Sequence, residues 1–133
     1  MTRTIRTLIA AATLAAGLAT APAFAGGSVS LSYNPSDPEK AQALQTGLRI
    51  YGLVEGIKSG SIKQNGFGNI AGLAQNGSGN LGIVHQEGDG HTGTVQQNGN
   101  GNAYGLFQFG KNTEAHAVQN GNGNAGATVQ VGW

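Results

Sequence analysis

The chain contains no cysteine, and it is poor in charge, in aromatic side chains and in proline. Without thiols, disulfide bonds and thiolate metal sites are excluded. Only 10% of the 133 residues are charged and 6% are aromatic. The length suits one small domain, and so few large apolar residues cannot bury a large conventional core. Cohesion therefore has to come from another source.

Glycine and uncharged polar residues fill the composition instead. Glycine supplies 24 residues, asparagine 12 and glutamine 10, and the usual share of glycine is only about 7%. Such a bias indicates either disorder or side-chain ladders between stacked strands. The two interpretations differ in one respect, because ladders need polar residues at regular intervals and disorder does not.

Residues 1–25 have the three parts of a secretory signal peptide. Arg3 and Arg6 form a basic start, residues 8–18 are an alanine-rich apolar run, and Ala23–Ala25 is a small-x-small cleavage site. The apolar run is shorter than the roughly 20 residues that a membrane-spanning helix needs. We therefore expect a secreted chain that has no membrane span after cleavage.

Cleavage would also change the charge. Loss of the two arginines lowers Lys+Arg from 7 to 5 while Asp+Glu stays at 6, so the net charge becomes about −1. No basic surface is left to attract phosphate backbones, and we expect no nucleic-acid partner.

Glutamine recurs at a constant step of 11 residues over most of the remaining chain, and this spacing excludes disorder. The glutamines are Gln64, Gln75, Gln86, Gln97, Gln108, Gln119 and Gln130. Two residues after each comes a glycine, predicted to lie in a turn: Gly66, Gly77, Gly88, Gly99, Gly110, Gly121 and Gly132. Five residues after a glutamine comes an asparagine in four cases, Asn69, Asn80, Asn102 and Asn124, and His91 or Thr113 in two others.

Alternate turns differ in sequence, so the full repeat is 22 residues made of two similar strand-turn halves. The glycine-rich turns supply the positive φ that a tight reversal requires. Between them the residues alternate with period 2, as in a strand. One face carries asparagine, a small residue, an apolar residue and glutamine, and its predicted apolar core is Ile62, Leu73, Val84, Val95 and Leu106. The other face is variable, and its aliphatic residues suggest contact with a further surface.

Two strands per 22 residues predict an all-β repeat fold, a β-solenoid whose coils stack about 4.8 Å apart. Like residues then lie above like residues, and stacked asparagine and glutamine amides hydrogen-bond along the axis. An isolated buried amide would cost about 1–3 kcal/mol, whereas an amide in a column is satisfied by its neighbours. The same stacking between molecules would give a cross-β fibre.

The repeat resembles that of the curlins, the subunits of bacterial curli fibres, over residues 58–133 and about three and a half repeats. The curlin pattern ends Gln-x-Gly-x2-Asn-x-Ala-x3-Gln, and Gln64 to Gln75 match it without a departure. The later repeats match with changes, and the serine that opens the curlin pattern is absent here. The resemblance implies a secreted functional amyloid that leaves the cell through dedicated outer-membrane machinery, polymerises from a nucleator subunit, and supports biofilm and adhesion. Major, minor and nucleating roles all stay open.

Residues 26–57 precede the repeats. Ser28–Tyr33 alternate like a short strand, and residues 37–57 predict a helix with an apolar stripe, although an extended conformation of residues 48–54 is an alternative. Our hypothesis is that the helix covers the N-terminal edge of the first coil and directs growth to the other end. The alternative is a secretion-targeting or unpacked segment.

Little in the sequence suggests reaction chemistry. His85, His91 and His116 have no partner at metal-ligand spacing, and no catalytic constellation is recognisable. Glu87 and Asp89 cluster in one turn, where we interpret them as gatekeepers whose repeated charge slows stacking. We expect no enzyme, cofactor or metal.

The leading hypothesis is therefore a structural subunit of an extracellular fibre at the bacterial cell surface. The alternative is a monomeric secreted solenoid that binds ice or carbohydrate. That function needs one residue type in an outward row through every coil, and the row begun by Thr92 and Thr94 is not continued in the neighbouring coils.

Overall fold

A computed structural model describes residues 26–133, so the predicted signal peptide lies outside the described residues. The chain forms a β-solenoid of about three coils with one helix, which confirms the predicted mostly-β repeat fold. The elements are β1 (Ser28–Tyr33), α1 (Pro38–Glu55), β2 (Gly60–Asn65), β3 (Ile70–Asn76), β4 (Leu81–Asp89), β5 (Thr92–Asn98), β6 (Ala103–Lys111), β7 (Glu114–Asn120) and β8 (Ala125–Gly132). Within residues 26–133, no helix is both long and apolar enough to cross a membrane.

The repeat strands form two parallel sheets that face each other. The first sheet has the order β2-β4-β6-β8 and the second the order β3-β5-β7, so each coil contributes one strand to each sheet. Every pair keeps a 22-residue register, for example Gln64 beside Gln86 and Gln75 beside Gln97. The period of the sequence is therefore the period of the structure.

The turn glycines are required for two reasons. Gly99 has φ 118°, a conformation that residues with a side chain rarely adopt. A Cβ atom built on it would also fall on the carbonyl oxygen of Gly121 in the next coil. Gly66, Gly77 and Gly88 repeat both features. The coils can stack closely only because no side chain stands at this corner.

One predicted turn glycine is assigned wrongly. Gly132 is the last residue of β8, lies outside the left-handed region, and is paired with Ser28 of β1. The 11-residue step continues to this position, but the chain here continues straight as a strand because β1 lies beside it.

The predicted apolar column lies between the two sheets. Val84 and Leu106 are completely buried there, and Val95 is 1% exposed. Leu73 packs against this cluster and is half-buried, whereas Ile62 is 45% exposed. Both residues are less buried than the other three because they belong to β2 and β3, each of which has a hydrogen-bonded neighbour on one side only within residues 26–133.

The helix has well-defined ends. Asp37 is the N-cap, its Oδ1 accepts a hydrogen bond from the Glu39 backbone N–H at 3.0 Å, and Pro38 occupies the first turn. Gly56 ends the helix in the left-handed conformation with φ 74°. The prediction was a helix over 37–57, and residues 48–54 are helical rather than extended.

The helix packs on the outer face of the first sheet, not over the edge of the first coil, so the edge-covering hypothesis is wrong. Leu48 is 6% exposed and clusters with Leu81, Ile83 and Ala103. The physical reason is complementarity, because the apolar stripe of the helix matches these outward-facing aliphatic residues of β4 and β6. The alternative of an unpacked segment is likewise wrong.

An edge is covered instead at the opposite end of the solenoid. β1 pairs with β8 in antiparallel register along its whole length, from Ser28 beside Gly132 to Tyr33 beside Ala127. The two ends therefore differ. β2 and β3 are uncovered at the first coil, whereas at the last coil β8 is covered and β7 has a neighbour on one side only, in the part of the chain described.

Replacement of Gly99 by alanine tests the corner. We expect a loss of about 1–3 kcal/mol in the free energy of unfolding, because of the strained φ and the collision with Gly121. Gly47→Ala is the control, since a Cβ atom there meets nothing within 4 Å and a helical alanine stabilises by up to about 1 kcal/mol. Denaturant unfolding of residues 26–133 measures both. Equal effects of the two changes would contradict the stacking constraint.

Candidate functional site: side-chain ladders and open strand edges

The glutamines form two continuous columns between the sheets. In the first sheet Gln64, Gln86 and Gln108 each donate from Nε2 to the Oε1 of the glutamine in the next coil at 2.8 Å, a column that ends at Gln130. In the second sheet Gln75 donates to Gln97 at 2.8 Å and Gln97 donates to Gln119 at 2.9 Å. These are the predicted amide contacts along the solenoid axis.

Each interior amide also uses its second N–H group. Gln86 donates to the Ile70 carbonyl at 2.8 Å, and Gln97 donates to the Leu81 carbonyl at 2.9 Å. The acceptor in each case lies 16 residues earlier, so the glutamine joins the two sheets as well as successive coils. No buried side-chain nitrogen or oxygen within residues 26–133 lacks a hydrogen-bond partner. The columns therefore bury amides whose hydrogen bonds to the protein offset the loss of hydration.

The columns have a direction, because every hydrogen bond from one glutamine to another runs to the glutamine of the next coil towards the C-terminus. Gln64 and Gln75 begin the columns, so their amide oxygens receive no hydrogen bond from an earlier glutamine. At the other end Gln130 donates to the Ser30 hydroxyl of β1 at 3.2 Å. One end of the solenoid thus presents acceptors and the other presents donors.

The asparagines work differently from the amide-to-amide ladder that we predicted. Asn80 accepts from the Asn102 backbone N–H at 3.0 Å and donates from Nδ2 to the Gly99 carbonyl at 2.9 Å. Asn69 and Asn102 make the equivalent pair of contacts. A short side chain at the start of a strand lies next to backbone groups of the neighbouring turn, so it ties turn to turn. Asn124 is exposed and donates to its own turn at the Asn120 carbonyl.

His91 and Thr113 replace asparagine in this column and still satisfy each other. His91 is completely buried, and its Nε2 lies 3.1 Å from the Glu87 carbonyl, so Nε2 carries the hydrogen. The Nδ1 atom then accepts from the Thr113 hydroxyl at 2.7 Å. The pair is a structural replacement, and both imidazole nitrogens are occupied.

The two predicted gatekeepers have different surroundings. Glu87 is exposed, and its carboxylate lies 3.7 Å from His85. Asp89 accepts a hydrogen bond from the Phe67 backbone N–H at 2.9 Å, as Asn100 does from the Ser78 N–H. Asp89 is therefore part of a turn ladder as well as a charge. The sequence signal for this role was the shared position of Asp89 and Asn100 within their turns.

A groove of about 430 Å³ lies at the C-terminal end between β1 and β7. Ser30, Ser32, Ala117 and Tyr104 are among its lining residues. Burial raises the pKa of Tyr104, and the hydrogen bond to Thr128 partly opposes that rise. Along the described chain, no group of three or more His, Cys, Asp and Glu residues is arranged to hold a metal ion. The groups available here are hydrogen-bonding hydroxyls and the open edge of β7.

The variant Gln97→Ala tests the glutamine columns, and the same change at the exposed neighbour Gln96 serves as the comparison. The change leaves Gln75 and Gln119 without their column partner, and we expect the free energy of unfolding to fall by about 1–3 kcal/mol or more. Gln96→Ala is the matched control, because that side chain is exposed and its loss should stay within about 0.5 kcal/mol. Denaturant unfolding of both variants decides, and similar losses would count against the columns as the source of cohesion.

Comparison with models of protein families, with curated proteins and with solved structures finds no match to this chain.

Proposed function

We propose that this protein is a structural subunit of extracellular, curli-like amyloid fibres, and that copies join by stacking the first coil of one on the last coil of another. The observation that supports this most is the uncovered first coil. Both of its strands, β2 and β3, have a neighbour on one side only within residues 26–133. An exposed pair of parallel strands is a template for further strands. No enzymatic activity and no cofactor are part of the proposal.

The solenoid is complementary to itself. Continuing the 22-residue step across a junction sets Gln64 of an incoming copy beside Gln130 in the first sheet. The second sheet ends one level earlier within residues 26–133, at β7, so the incoming Gln75 lies two steps from Gln119. The direction of the column fits, because the incoming Gln64 offers its amide oxygen and Gln130 offers the N–H group that the Ser30 hydroxyl accepts in the single copy. Stacking would also bury Ile62, which is 45% exposed in the single copy. Burial of its remaining exposed surface would stabilise the junction by about 1 kcal/mol, less than half of what full burial of such a side chain gives.

The biological setting is carried by the resemblance to curlins and by the predicted signal peptide. Export through outer-membrane machinery of the curli type, a nucleator subunit, and a role in biofilm and adhesion are proposed on that basis. The proposed partner in the fibre is a second copy of the chain, with no nucleic acid.

Fibre formation by residues 26–133 tests the proposal. Concentrated protein should yield sedimenting material that binds amyloid dyes and diffracts with a meridional reflection near about 4.8 Å. Ile62→Lys should slow growth at least about ten-fold, because it places a charge inside the junction. Ile50→Lys is the control, since Ile50 is 56% exposed on the helix and away from both ends.

The unfolding curve of each variant shows whether the single copy is intact. A soluble, dye-silent wild-type monomer would defeat the proposal and favour the binding module. Equal growth of the Ile62 and Ile50 variants would mean that the first coil is not the junction.

Removal of the charges in one turn tests the gatekeepers. The double change Glu87→Asn and Asp89→Asn should shorten the lag before polymerisation, because like charges no longer repeat along the fibre. Asparagine keeps the oxygen that accepts from the Phe67 N–H, so the turn is preserved. A dye-binding time course measures the lag, and a lag longer than that of the wild type would refute the gatekeeper role.

A further inference from the structure

β1 is the one antiparallel strand in the two sheets of the described chain. Its pairing continues beyond the strand to Gly27 and Trp133, which exchange two backbone hydrogen bonds of 2.9 and 2.8 Å. β1 therefore covers the edge of β8 from Ala127 to Gly132. That edge is the one which the first strand of an incoming copy needs.

The side chains of β1 stand where the next coil would supply partners. The Ser30 hydroxyl accepts from Gln130 Nε2 at 3.2 Å, whereas the preceding glutamines of that column donate to another glutamine at 2.8 Å. The Ser32 hydroxyl lies 2.9 Å from the Thr128 hydroxyl. β1 thus ends the column with short hydroxyl side chains, which offer no apolar surface for continued stacking.

β1 is held less firmly than the strands that it covers. None of its six residues is buried, whereas β8 contains buried positions along most of its length. It covers only one of the two strands at this end, and the groove between β1 and β7 leaves the β7 edge open.

We propose that β1 is a removable cap, which blocks full docking of a second copy on β8 until β1 is displaced by β2 of that copy. The inference rests on the proposed function and adds the regulation of the same junction. The incoming β2 replaces β1 on β8, and the glutamine column then continues from Gln130 to Gln64 of that copy. The opposite end of the solenoid has no such cap within residues 26–133.

A disulfide across β1 and β8 locks the cap. Counting from the doubly bonded Gly27–Trp133 pair, Ser32 and Thr128 form a non-hydrogen-bonded pair, in which Cα atoms are about 4.5 Å apart. Their hydroxyls already lie within 2.9 Å of each other, and that geometry suits a disulfide. The chain has no other cysteine, so Ser32→Cys with Thr128→Cys gives a single bond. The reduced form of the same variant is the matched control.

Seeded growth measures the effect. Fragmented wild-type fibres receive reduced or oxidised variant as monomer, and dye signal and sedimentation follow elongation. We expect the oxidised form to elongate seeds at least about ten-fold more slowly than the reduced form, because each added copy presents a blocked β8. A small fraction of oxidised monomer mixed into wild-type monomer should also terminate growth.

Release of the cap gives the opposite result. Leu31 lies in a hydrogen-bonded pair with Val129. Leu31→Pro therefore removes a backbone donor to β8 and should speed elongation by several-fold, the opposite of the effect of the disulfide. Leu31→Thr keeps the donor and a strand-forming residue, and should leave the rate close to that of the wild type.

The outcomes separate the two proposals. Equal elongation by the oxidised and reduced forms overturns the cap and leaves the fibre proposal standing. Absence of fibres from the wild type, the reduced form and Leu31→Pro alike overturns the proposed function, and the cap with it.

Discussion

The structure depends on one requirement, that a buried carboxamide must have partners for its oxygen and for both of its N–H groups. A single interior glutamine could meet this only with a dedicated set of neighbours. Repetition at 22 residues meets it for the glutamines inside each column, because the group above each of them is another glutamine in the same orientation. The carbonyl 16 residues earlier takes the remaining hydrogen. A chain with few large apolar residues can thus close a dry interior.

Repetition of this kind restricts everything else in the coil. Side chains are excluded at the corners because the carbonyl of the next coil occupies that space, as Gly99 shows. Variation is confined to the outer faces, and there the chain departs from symmetry. Leu81 and Ile83 make one outer face apolar enough to hold the helix. The helix therefore adds burial without interrupting either column.

The sequence predicted the parts that depend on the repeat and not those that depend on a single encounter. The step between glutamines gave the strands, their 22-residue register and the interior position of Val84, Val95 and Leu106. The repeat pattern did not predict the pairing of Ser28–Tyr33 with β8, because β1 runs antiparallel and matches β8 through backbone groups that every residue has. Gly132 likewise stands at the position of a turn glycine in the repeat, yet it belongs to β8 and pairs with Ser28 of β1. The apolar stripe of the helix could pack on any apolar surface. The sequence alone therefore did not rank the outer face of the sheet above the coil edge as the place where the helix lies.

The difference between the two ends also sets the energetics of joining copies. A strand tethered in its own chain competes at an effective concentration in the millimolar range. A second copy at micromolar concentration must therefore gain about 4 kcal/mol beyond what β1 already contributes on β8. One strand exchanged for another on β8 supplies little of this, since the backbone hydrogen bonds are replaced in kind. The surplus has to come from what β1 does not supply, including burial of the exposed part of Ile62 between β2 and β8. Joining is thus favourable only when the exchange of β1 for β2 also buries apolar surface, because the exchange of backbone hydrogen bonds alone leaves the tethered strand in place.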